Sequence, residues 1–176
     1  MAPGVEEKLV EVVNEAARQL LVWEETRAKR CADCQQLGVL ASYPECVTRL
    51  EVKITQSAER ARRYVERDKA RMAEVVQRLK DISRQCQKLF EDAVELRGID
   101  AVNRETPESF ALSRYPSWLK ELHSTYNLDT AGKLSALEQL RYSSACVQAV
   151  RDRWEVQPGP QDILQCLHYV ARTKSS

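Results

Sequence analysis

From Glu45 to Arg97 the chain contains neither glycine nor proline. A run that long without a backbone breaker leaves few folds open, because sheets need turns every few residues. Its apolar positions are Val47, Leu50, Ile54, Ala58, Ala61, Val65, Met72, Val75, Leu79, Ile82, Cys86, Leu89, Ala93 and Leu96. With Asp68 filling the one polar gap, the steps alternate three and four. That spacing is one face of a helix. The single repeated four, at Ile54, is a stutter that locally unwinds a supercoil. About seven heptads at 1.5 Å per residue give roughly 75–80 Å of helix. Such a helix cannot bury its seam against itself and needs a partner helix.

The first helix is the nearest partner, expected from Val5 to about Leu37 with Gly38 as its stop. Val5, Leu9, Val12, Ala16, Leu20 and Trp23 mark its face, which weakens where Arg27 and Arg30 follow. Ser42-Tyr-Pro-Glu45 has the form of a capping box for the second helix. Gly98 ends that helix, and a loop with Asn103, Thr106 and Pro107 follows. Pro116 suits the first turn of a third helix, to about Arg141, with Trp118, Leu122, Tyr126, Leu137 and Leu140 on its face. Gly132 is its weak point. Ser143 or Ser144 is placed to cap a fourth helix ending near Trp154. Gln157-Pro-Gly-Pro160 breaks the chain. Asp162 then caps a last helix carrying Ile163, Leu164, Leu167 and Val170. The expected fold is all-α: a long antiparallel coiled-coil hairpin over 5–97, a linker over 98–115, and a small C-terminal helical head over 116–172, all one continuous domain.

Net charge is +1, so the chain as a whole does not attract nucleic acid or anionic lipid. No stretch approaches the about 20 apolar residues that span a membrane. Met1–Val13 carries Glu6, Glu7 and Glu11 and no signal-type apolar run, so a soluble intracellular chain is expected. Its six cysteines then read as free thiols.

Chemistry-bearing motifs are scarce. Cys31-Ala-Asp-Cys34, even with Cys46 near, lacks the second pair of ligands that a zinc site needs. His123 and His168 are far apart and stand beside no nucleophile motif. No phosphate-binding glycine loop, HExxH or EF-hand loop occurs. No catalytic, cofactor or metal residues are therefore assigned, and the chain is read as a non-enzyme. Arg60, Arg62, Arg63, Arg67, Lys69 and Arg71 make a basic stretch interleaved with Glu59, Glu66 and Asp68. Pairs such as Glu59–Arg63 and Glu66–Arg62 make it a solvated helix face before a nucleic-acid site. Asp68 in the seam must either pair with an arginine or sit where the seam opens. Trp23, Trp118 and Trp154 are read as core before interface anchors.

Leu20-Leu-Val-Trp23-Glu-Glu25, Tyr115-Pro116, Trp118-Leu-Lys-Glu-Leu122, Tyr126 and Arg153-Trp154-Glu-Val-Gln157-Pro158 follow one another around a coiled-coil middle. In this order they resemble the cyclin-dependent kinase 2-interacting protein family. The resemblance implies a nuclear adaptor, also present in the cytoplasm. It would bind cyclin-dependent kinase, cyclin and hexameric AAA ATPase subunits, beside a second small helical subunit of similar plan. It would act in DNA replication, DNA damage and repair signalling, the cell cycle and cell division, and ribosome biogenesis. Partner contact is expected at Tyr115, Pro116, Trp118, Trp154, Gln157 and Pro158. The alternatives are a structural coiled-coil subunit of a cytoskeletal or kinetochore complex, and a helical nucleic-acid-binding protein.

Overall fold

A computed structural model describes residues 4–41, 47–106, 110–139, 144–156 and 158–173. These residues form helices α1 (Val5–Ala41), α2 (Val47–Arg97), α3 (Ile99–Val102), α4 (Arg114–Glu138), α5 (Ser144–Glu155) and α6 (Gln161–Thr173). No strand occurs among them, and the fold is all-α as the periodicity predicts.

α1 runs through Gly38 to Ala41, beyond its expected stop. A lone glycine costs a helix only about 1 kcal/mol, which the flanking residues can offset. The capping box at Ser42–Glu45 lies outside the described residues, as do the seam side chains from Val47 to Val65 and the stutter at Ile54. From Met72 onward the seam is buried at Met72, Val75, Leu79, Ile82, Cys86 and Ala93. Leu96 departs from it, at 75% exposed. It stands in the last turn of α2, which Gly98 ends with φ +82°, a backbone setting that favours glycine.

The stretch expected as a plain linker contains α3, whose Val102 is fully buried. Ser113 N–H donates to the Val102 carbonyl at 3.4 Å and holds the end of this stretch against α3. α4 begins at Arg114, with Pro116 inside its first turn. Its buried face is Tyr115, Leu119, Leu122 and Tyr126, while Trp118 is half-buried beside it. Of the later face residues, Leu140 and the Leu137 side chain lie outside the described residues. α6 buries Ile163, Leu167 and Val170 on one stripe.

Two compact units emerge. The first comprises Met1–Leu21, Val75–Asn127 and Gly159–Ser176, and the second Val22–Glu74 and Leu128–Pro158. Each draws on both the segment expected as a hairpin and the segment expected as a C-terminal head. α5 belongs to the second unit and α6 to the first. An amphipathic helix too short to stand alone must bury its stripe on longer helices, and these two do so separately.

Candidate functional site

In the second unit, the polar residues that interrupt the apolar pattern pair with one another. Trp23 is fully buried on α1, and its Nε1 donates to Thr130 Oγ1 of α4 at 2.8 Å. One turn on, Thr26 continues the stripe by donating its hydroxyl to the Val22 carbonyl at 2.8 Å. Arg30 follows, 5% exposed, and its Nε donates to Asp68 Oδ2 of α2 at 2.6 Å. Asp68 thus pairs with an arginine, one of the two outcomes that the sequence leaves open.

Lys133 is a fully enclosed cation, with no exposed surface. Its Nζ donates to Asp129 and, at 2.8 Å, to the Val156 carbonyl, and lies 5.2 Å from the centre of the Trp23 ring. Three directions of an ammonium are thereby filled. Burial pulls the Lys133 pKa below its ordinary value, against the opposing pull of the Asp129 hydrogen bond. Arg27 Nη1 donates to the Trp154 carbonyl at 2.8 Å and reaches that of Glu155 at 3.3 Å. Glu24 accepts from Arg27 Nε at 3.0 Å and raises the Arg27 pKa. The last two carbonyls of α5 are therefore met by Arg27 of α1, and the carbonyl just beyond them by Lys133 of α4. A helix C-terminus carries partial negative charge and has four carbonyls to satisfy, so both cations stabilise it. Trp154, fully buried, closes the cluster by donating Nε1 to the Lys133 carbonyl at 3.2 Å.

A lysine with a lowered pKa is a familiar starting point for catalysis. Here every direction of the amine is occupied and the group is sealed from solvent. The arrangement fastens α5 to α1 and α4. Among the described residues, no three His, Cys, Asp or Glu side chains converge as metal ligands would. Cys31 is half-buried, and burial raises its thiol pKa with a further push from Glu155. The Cys34 side chain and Cys46 lie outside the described residues.

In the first unit, aromatic rings from three segments stack edge to face. Tyr115 meets Trp118 at 5.6 Å between centroids, Trp118 meets Phe110 at 5.1 Å, and Phe110 meets Tyr169 at 5.9 Å. Such pairs contribute about 0.5–1.5 kcal/mol each beyond the area they bury. Tyr115 anchors the inner end in the core, whereas Tyr169 is 48% exposed at the outer end. Phe110 and Trp118, between them, are half-buried.

The residues expected to meet a partner divide accordingly. Tyr115, Pro116, Trp154 and Pro158 are buried, and Gln157 lies outside the described residues. Trp118 keeps an accessible edge, and Phe110 and Tyr169, which the sequence reading does not select, extend it. Neither carries a local signal, because their proximity depends on packing α6 beside the start of α4.

Of the basic stretch, Arg63, Arg67 and Arg71 are exposed, and Lys69 Nζ pairs with Glu138 at 2.7 Å. The side chains of Glu59, Arg60, Arg62 and Glu66 lie outside the described residues. No described helix is long and apolar enough to cross a membrane. No protein-family model matches the sequence, and no curated protein matches it either.

Proposed function

We propose that the chain is a non-catalytic nuclear adaptor whose α1 and α2 form an antiparallel hairpin. It holds cyclin-dependent kinase–cyclin and hexameric AAA ATPase assemblies, together with a second small helical subunit. It acts in DNA replication, checkpoint signalling and maturation of the large ribosomal subunit. The identities of the partners rest on the resemblance carried by Trp23, Tyr115-Pro116, Trp118 and Arg153-Trp154.

The single observation that supports a protein-holding role is the aromatic row ending at Tyr169. A row of rings fixed at the core end by Tyr115 and open at the other gives a rigid, partly apolar surface. Rigid aromatic anchors bind with little loss of conformational freedom, which is why they dominate protein interfaces. The strongest chemical candidate, Lys133, is by contrast occupied in holding helices together.

The test is reconstitution of the full chain with purified cyclin-dependent kinase–cyclin and with a purified hexameric AAA ATPase. Co-elution with either is expected. Tyr169→Arg should weaken it at least about tenfold, the scale of an interface anchor, while leaving the melting temperature in place. Co-elution with neither, or a stable homodimer of the chain alone by light scattering, would sink the reading.

A further inference from the structure

The first unit carries a charged surface that neither the helix packing nor the aromatic row uses. Lys80, Arg84 and Lys88 stand four residues apart on α2. They occupy one face over two turns, about 12 Å along the axis. Arg84 and Lys88 are exposed and Lys80 is half-buried. His123 of α4, also half-buried, lies within their field: burial, then Lys80, then Arg84 lower its pKa.

Like charges at this spacing destabilise the helix that bears them, and neighbouring carboxylates ordinarily offset them. Here they do not. Among the described residues, no ion pair engages Lys80, Arg84, Lys88 or His123. Three carboxylates stand beside the row on the same helix, Asp81, Glu91 and Asp92, and the first two are held by glutamine amides. Gln77 donates to Asp81 at 3.1 Å, and Gln87 donates to Glu91 at 2.8 Å. Asp92, four residues beyond Lys88, forms no ion pair with it among the described residues, so the three cations keep their donors unengaged by direct pairing.

We propose that Lys80, Arg84, Lys88 and His123 form a docking surface for an acidic helical segment of a partner protein. Carboxylates repeating every four residues on that segment match the rise of the cationic row one for one. The match is of charge and of spacing, and such complementarity sets which partner docks and how fast. A row of three cations and an imidazole is short for nucleic acid, whose affinity comes from many phosphate contacts. The proposal rests on the adaptor reading only in that the chain holds other proteins, and it uses a surface made of residues other than the aromatic row.

The probe is an acetylated, amidated alanine-based helical peptide with a glutamate at every fourth position. It is titrated into the full chain at low salt and followed by calorimetry and by the proton resonances of His123. Saturable binding is expected, with the His123 titration moving upward as carboxylates replace water beside it. A peptide of the same composition with adjacent glutamates should bind more weakly. Arg84→Glu with Lys88→Glu, both exposed positions, should weaken binding about tenfold or more. A lysine version of the peptide should then restore it. Arg84→Gln is a milder variant that keeps the comparison open should the reversal disturb the fold. No binding at low salt, binding indifferent to these variants, or tighter binding of a single-stranded oligonucleotide than of the peptide would overturn the proposal. Co-elution with kinase–cyclin or ATPase that depends on Tyr169 reports on the adaptor reading separately.

Discussion

Arg30 of α1 and Asp68 of α2 meet where the apolar stripe of each helix is interrupted. The guanidinium Nε lies 2.6 Å from Asp68 Oδ2, with the side chains only 6% and 16% exposed. Each residue alone looks like a defect in its helix. Together they satisfy one another, and each makes the other's burial tolerable. A polar pair inside an apolar seam also penalises every register in which its members part.

Truncating one member should therefore cost more than replacing both. Asp68→Ala leaves a guanidinium nearly buried without its partner and should lower unfolding free energy by about 3 kcal/mol. Arg30→Met with Asp68→Leu should fall within about 1 kcal/mol of the parent or exceed it, because the desolvation of two charges is removed with the pair. Urea unfolding of the three proteins decides the matter. A harmless Asp68→Ala would mean that the pair does not hold these helices.

Lys133 makes the stability of the protein depend on alkaline pH in a particular sense. Its pKa is lowered by burial, so between the lowered value and the ordinary lysine value of about 10.4 the unfolded chain binds more protons than the folded one. Unfolding free energy contributed by this group must then rise with pH across that window, by at most about 1.4 kcal/mol per unit. Cys86 works oppositely. Burial pushes its thiol up to about 12, so its contribution is present at neutral pH and is lost as pH climbs through the range above 9.0. Comparing the parent with Lys133→Met isolates the lysine, since Cys86 is common to both. The difference between the two proteins should grow in the parent's favour as pH rises toward the ordinary lysine value. A flat or falling difference would remove the inferred shift.

How far this was legible in the sequence follows from the range of the interactions. The seam from Met72 to Ala93 is encoded by local spacing, and the structure buries it. Gly98 ends α2 as its backbone freedom suggests. Trp23 and Trp154 are core, the reading favoured for them from the slenderness of the helices. Asp129 and Lys133, by contrast, look in sequence like an ordinary solvated pair four residues apart. Trp23, Trp154 and the Val156 carbonyl, from other parts of the chain, turn them into a sealed cluster. Arg27 likewise weakens the α1 stripe by local rules, and its use becomes clear once α5 presents its carbonyls. Periodicity reports which face of a helix is buried, and says nothing of which polar group on another segment will meet it.

Trp154 tests whether that sealed cluster is structural. Its indole is fully buried and its Nε1 is bonded to the Lys133 carbonyl. Trp154→Ala should cost about 3–5 kcal/mol through the cavity it leaves. Residues of α5 should then exchange their amide hydrogens faster than those of α6, which lies in the other unit. An intact melting curve with lost partner binding would instead make Trp154 an interface anchor.

Gly132 is the position where local and tertiary demands oppose one another most directly. In the middle of α4, replacing glycine by alanine ordinarily gains about 1 kcal/mol of helix propensity. Here a Cβ would overlap the Arg153 guanidinium, whose Cζ lies 3.2 Å from where that carbon would stand. Arg153 Nη2 in turn sits 3.5 Å from Asp129 Oδ1, with its side chain 42% exposed. The guanidinium is the far end of a flexible chain and can swing away, so the overlap costs little more than this partly exposed ion pair, about 0–1 kcal/mol. Gly132→Ala should therefore change stability by less than about 1 kcal/mol in the parent. In an Arg153→Ala background, with nothing left to displace, the same substitution should stabilise by the full propensity gain of about 1 kcal/mol. A double-mutant cycle measured by urea unfolding reads the coupling directly. Equal effects in both backgrounds would show that the arginine does not depend on the glycine, and α4 would then carry Gly132 for no reason visible in its packing.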